Sequence, residues 1–172
     1  MKFIPLIVSV LLLNSCLMLK QDSTDQAVAE IYNLDTKKKM GIASFERTAS
    51  GDIKISLDIK GLSGVHAMHI HQYGDLRENG KFLGGHFNPF NVKHGHPNEG
   101  YYAHTGDLGN ITADNNGRVK TEIVDTKISL RSRNSIIGRS IVIHARQDDF
   151  TTQPSGNAGK MIAAGVIGYA KP

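Results

Sequence analysis

Cysteine is almost missing from this chain: Cys16 is the only one in 172 residues. A single thiol excludes an internal disulfide framework and every cysteine-based zinc finger. Tryptophan is absent, and aromatic residues make up only 6%. Charge of one sign is lacking too. Twenty Lys+Arg against sixteen Asp+Glu leave a net +4, too little to point to nucleic acid without clustered basic residues and a docking motif. No apolar run approaches the roughly 20 residues of a membrane-spanning helix. With 40% hydrophobic and 21% charged residues, the chain falls among globular rather than disordered proteins, at a length suited to one domain. What it has in excess is histidine, eight in all, and glycine, eighteen.

The first residues read as a leader. Lys2 gives a basic start, and residues 6–13 form an apolar run broken only by Ser9, the size of a signal-peptide core. Leu13-Asn14-Ser15-Cys16 follows and resembles the lipobox of bacterial lipoproteins, in which cleavage before the cysteine leaves it lipidated. The expectation is a signal peptide over residues 1–15, Cys16 as a lipidated N-terminus, a polar tether over 16–26 and one domain over 27–172. The protein would then be exported to the periplasm or cell surface and touch the membrane only through that anchor. An ordinary cleaved signal that discards Cys16 is the simpler alternative.

Beyond the tether, short Ile- and Val-rich runs alternate and are punctuated by turn residues. Residues 27–33, 40–47, 52–60, 64–73, 107–112, 118–125, 136–145 and 161–169 read as strands. Lys37-Lys38-Lys39 reads as a solvated hairpin end. Asp114-Asn115-Asn116-Gly117 reads as a hairpin turn; it lacks the rest of a calcium-binding motif. No segment has helical periodicity. Two stretches, 74–105 and 146–159, have no periodicity at all, and long structureless loops inside a compact domain are usually functional. The fold class that follows is all-β: an antiparallel eight-stranded Greek-key β-sandwich or barrel with two long functional loops.

His69 and His71 lie two apart on a strand, where alternate side chains share a face. His86, His94, His104 and Asp107 follow at loop spacings, and His144 lies on a late strand. Imidazole nitrogens suit zinc and copper, and three histidines with one carboxylate make a tetrahedral zinc set. Spacing alone reaches a mononuclear or binuclear histidine metal site.

Four runs carry more: Gly64-Val65-His66-Ala67-Met68-His69-Ile70-His71, Gly85-His86-Phe87-Asn88-Pro89, His104-Thr105-Gly106-Asp107-Leu108-Gly109-Asn110 and Gly156-Asn157-Ala158-Gly159. With Ile136-Ile137-Gly138-Arg139 and Gly165-Val166-Ile167-Gly168, they resemble the copper/zinc superoxide dismutases over residues 27–170. The resemblance implies copper ligands His69, His71, His86 and His144, and zinc ligands His86, His94, His104 and Asp107, with His86 bridging as the catalytic histidine. Asp148 would link a copper ligand to a zinc ligand through hydrogen bonds. His66 would be structural, and His96 a solvated loop residue able to compete with His94. The implied reaction converts superoxide to dioxygen and hydrogen peroxide. A copper-handling protein with weak dismutase activity is the alternative, and a homodimer stays open.

Three departures from the family stand out. The positions aligned with its disulfide are Gly80 and Ala164, so zinc and packing must hold the loop over 74–85. Loop 146–159 is shortened and keeps Arg146 as its only cation. The active-site arginine aligns with Met161, beside Lys160; these two are the candidates for guiding the anion, with Lys160 expected to point away.

Overall fold

A computed structural model describes residues 25–171. The leader, Cys16 and the tether as far as residue 24 lie outside the described residues.

Alternation builds the strands. In β3 (Ile53–Lys60) the residues Ile53, Ile55, Leu57 and Ile59 point inward and are buried, and Ala27, Ala29 and Ile31 do the same in β1 (Gln26–Asn33). These two with β2 (Lys39–Arg47), β4 (Val65–His71), β5 (Asp107–Thr112), β6 (Arg118–Asp125), β7 (Ser140–His144) and β8 (Met161–Val166) form one antiparallel sheet ordered β5-β4-β7-β8-β1-β2-β3-β6. The long crossings from β3 to β4 and from β6 to β7 make it a Greek key, rolled into a nearly closed barrel around Phe45, Met68, Ile70, Ile141 and Ile143. The eight expected strands are all present. A ninth, β9 (Gly168–Tyr169), splits from the last of them and pairs with β1.

Two expected strands are shorter than their sequence pattern. The run 136–145 becomes extended only at Ser140, because Gly138 (φ 77°) and an Arg139-to-Ile136 backbone bond turn the chain first. The run 64–73 keeps Val65–His71. The long loop also contains two short helical turns, Arg77–Gly80 and Pro97–Tyr102. Asp114 forms the expected hairpin turn, accepting hydrogen bonds from Asn116 N and Arg118 N.

The loop over residues 74–85 is held by more than packing. Leu34, Leu83, Val142 and Ala164 form a small buried cluster beneath the loop. Lys37, from the lysine run, is not merely solvated: its Nζ donates to Leu34 O and to Asn79 Oδ1 of the loop, 2.6 Å each. Arg139 Nη1 and Ser140 Oγ hold the carbonyls of Gln72 and Tyr73.

Candidate metal centre

On β4, Met68 and Ile70 enter the barrel core while His69 and His71 leave it, and both loops fold over them. Three backbones cross at this point. Phe87 N donates to Ile70 O, Ile70 N to Gly106 O and Gly106 N to Phe87 O, at 2.7–2.8 Å. A Cβ at Gly106 would lie 2.3 Å from Ile70 O, so only glycine lets the loop carrying His86 and the start of β5 meet the strand. His144, at the end of β7, reaches the same place from the next strand.

One group of four ligand atoms, from His69, His71, His86 and His144, lies within 4.8 Å of one another; a second comes from His69, His86, His94 and Asp107. His69 belongs to both, and so does His86. His86 Nδ1 is 2.8 Å from Asp107 Oδ1 and 3.5 Å from His104 Nδ1. On the other side, His71 Nε2 and His144 Nε2 face each other at 3.3 Å. His104 falls outside the second group, but its Nδ1 is 3.4 Å from Asp107 Oδ1. All seven side chains are buried.

The donors fit a pair of metal ions. His69 Nδ1, His86 Nε2 and His94 Nδ1 are buried without a hydrogen-bond partner, an arrangement native proteins rarely leave without a ligand to take it up. His94 Nδ1 sits 3.0 Å from Asp107 Oδ2 without hydrogen-bond alignment, as two donors to one ion would.

The other ring nitrogens are held. Asp148 Oδ2 is 2.7 Å from His69 Nε2 and its Oδ1 is 2.9 Å from His94 Nε2. His71 Nδ1 bonds Gly84 O, and His144 Nδ1 bonds Gly159 O. Such contacts fix tautomer and ring orientation. A Cβ at Gly156 would fall 1.8 Å from Asp148 Oδ1, so this glycine keeps room for the carboxylate bridge. Gln153 clasps His94 on both sides, its Oε1 accepting from His94 N and its Nε2 donating to His94 O.

Electrostatics separates the two halves. Burial pushes His69 down to about 3 and His144 to about 4, and drives His71 well below its ordinary value. These rings are neutral near pH 7 and keep lone pairs for a metal. Burial also opposes charge on His94, but Asp107 and Asp148 together raise it to about 9. Burial disfavours the Asp107 carboxylate, yet His104, His86 and His94 hold it well below the usual range.

The remaining candidates sort out clearly. His66 turns away, bonding His144 O and Ser63 O, in the structural place expected of it. His96 is not simply solvated: its Nδ1 caps the Pro97–Tyr102 turn and its ring packs on Phe150, outside both groups. A cavity of about 740 Å³ opens over His71, His86 and His144. Lys160 and Met161 border it. Lys160 pairs with Asp35 at 3.0 Å, and Met161 packs against the buried Leu34 cluster. Arg146 is tied to Asn157 within its own loop. A larger cavity, about 870 Å³, lies beside His96 and Phe150, and neither ligand group borders it. Sequence reasoning did not single out Gln153 or Lys127.

Residues 39–167 match the family model of copper/zinc superoxide dismutase. The chain belongs to that family. It is 46% identical to the Cu-Zn superoxide dismutase of Paramecium bursaria Chlorella virus 1 over 130 residues, 71% of this chain and 69% of the relative. The crystal structure of the clock protein EA4 is similar at TM-score 0.79 and 35% identity, covering 86% of this chain and 97% of that one.

Proposed function

We propose that this superoxide dismutase holds copper with His69, His71, His86 and His144, and zinc with His86, His94, His104 and Asp107. Family membership brings the reaction, in which two superoxide ions and two protons give dioxygen and hydrogen peroxide, and it brings copper and zinc as cofactors. The observation that carries the division of ligands is the two-sided His86, whose Nε2 is buried and unpartnered while its Nδ1 meets Asp107. Three histidines and a carboxylate suit tetrahedral zinc, and the four-imidazole set suits copper.

Bound copper supplies the one-electron couple that the reaction needs and that zinc lacks. The protein's own groups do the rest. Asp148 orients His69 and His94 together, so the two halves of the site keep one geometry. Gly84 O and Gly159 O hold Nδ1 of His71 and His144 and leave Nε2 of each for the metal. His86 borders the mouth cavity; with Nδ1 on the zinc side, its Nε2 would be the nitrogen given to copper, and it would hold a proton only when copper does not occupy it.

Metal analysis of the purified protein, with a superoxide assay before and after copper loading, tests the assignment. One copper and one zinc per chain, with turnover per copper well above that of free copper, is the expected result. A copper-handling role is the second reading, favoured by the pairing of the mouth cations Lys160 and Lys81 with Asp35 and Glu78; turnover per copper measured against free copper separates the two.

Export and a lipid anchor at Cys16 are also part of the proposal. The supports are the apolar run and the lone cysteine that follows it. Mass spectrometry of the membrane fraction should find a chain starting at Cys16 with added acyl mass; a soluble chain starting beyond Cys16 would sink the idea. A homodimer is part of the proposal too, and light scattering of the same preparation reads it.

A further inference from the structure

Lys127 is the most unexpected buried group in the barrel. It follows β6, is 3% exposed, and has no carboxylate within ion-pair distance among the described residues. An ammonium taken out of water in this way opposes folding unless its protons are used well. Its Nζ donates to His104 O at 3.1 Å and to Asp107 O at 2.9 Å. Those carbonyls are the two ends of one tight turn, closed by Asp107 N donating to His104 O. The turn carries two of the four proposed zinc donors.

The clamp is itself fixed. Lys127 N donates to Asp125 Oδ1 at 2.7 Å, and Lys127 O accepts from Asn134 Nδ2 at 2.7 Å. On the far side of the turn, Asp107 Oδ2 accepts from His104 N and Gly95 N. The backbone of residues 104–107 is thus gripped from the barrel by Lys127, while its side chains face His86 and His94.

We propose that Lys127 is a positioning residue for zinc, holding His104 and Asp107 at their binding separation before the ion arrives. This rests on the zinc reading given above. Two physical effects of the ammonium oppose each other. As a like charge it repels a dication, which lowers zinc affinity. As a rigid double donor it spares the turn the cost of being ordered on binding, which raises affinity. The proposal says that ordering wins, because the two carbonyls are ends of a single four-residue turn and, among the described residues, only Lys127 donates to both.

Lys127→Met removes charge and donors at similar length; Lys127→Gln removes the charge and keeps a donor. Zinc affinity is read on the copper-free protein by competition with a chromophoric chelator, and thermal unfolding is followed with and without zinc. Lys127→Met should bind zinc roughly 10–100-fold more weakly, the usual cost of losing a supporting hydrogen bond around a metal ligand. Its zinc-dependent gain in Tm should shrink accordingly. Lys127→Gln should fall between Met and wild type, and it carries the comparison if Lys127→Met does not fold. Affinity unchanged or tightened, with Tm lowered equally in both forms, would overturn the proposal by showing a purely structural lysine. His104→Ala separates the two inferences. If it abolishes zinc binding while Lys127→Met leaves it intact, only the Lys127 role fails; if it too binds zinc normally, the zinc reading fails and takes this proposal with it.

Discussion

His86→Ala is expected to cost the protein both metals and, with them, its turnover. The ring is shared: His86 falls in one group with His69, His71 and His144, and its Nδ1 faces Asp107 and His104. Alanine removes one ligand from each set at once. It also leaves a void beneath the mouth cavity and removes a partner that helps hold Asp107 ionised. Losing only a supporting hydrogen bond costs about 10–100-fold in affinity or activity, so losing a direct ligand on both sides should exceed that. Metal content, the visible copper spectrum and turnover should all fall together. His96→Ala provides the contrast, because His96 caps a helical turn outside both groups and should leave both metals in place. If His86→Ala kept zinc content and the copper spectrum, the bridging assignment would be wrong.

The parts of this site that were legible in the sequence are those written in local rules. His69 and His71 share a strand face because side chains alternate, and the inward partners Met68 and Ile70 are visible in the same seven residues. The barrel was legible for the same reason, since its strands alternate and its turns carry Gly, Asn and Asp. Convergence of His86, His94 and His104 is different. It depends on where an aperiodic loop crosses β4, and that crossing is set by three backbone hydrogen bonds and the bare Cα of Gly106. No periodicity records such a crossing, so resemblance to a family had to supply it. Lys127 was hidden by a sounder rule. A lysine just past a strand reads as solvated, and only the apolar Ile128 and Leu130 after it hint that the segment turns inward. The Pro97–Tyr102 turn has a readable start in Pro97, but Gly100, at φ 60°, breaks it before any helical repeat can form. The strand begun at Ile136 was overextended because β-branched residues read as strand even where Gly138 turns them.

Met161→Arg is expected to make this enzyme about tenfold faster and to make its rate fall more steeply with salt. The resemblance aligns the family's active-site arginine with Met161, whose thioether carries no charge and is at best a weak acceptor. Its side chain packs against Leu34, Leu83, Val142 and Ala164 at the edge of the mouth. The cations near that edge are already engaged. Lys160 is bound to Asp35 and Lys81 to Glu78, so each positive charge is offset within a few ångströms and little net field reaches an approaching anion. A charge at residue 161, placed opposite His144 in the β7–β8 pairing, would lie close to the ligand group. It would add attraction at a distance and one charge-assisted hydrogen bond at contact. Together these should be worth about one order of magnitude in rate, or roughly 1.4 kcal/mol of barrier. Raising ionic strength screens such an added charge, so the gain should shrink with salt, whereas the wild-type rate should change little. Lys160→Ala should matter little as well, since its ammonium is exposed and turned to Asp35. The opposite result, a collapse of turnover in Lys160→Ala with no gain from Met161→Arg, would mean that Lys160 leaves Asp35 when superoxide approaches and guides it instead.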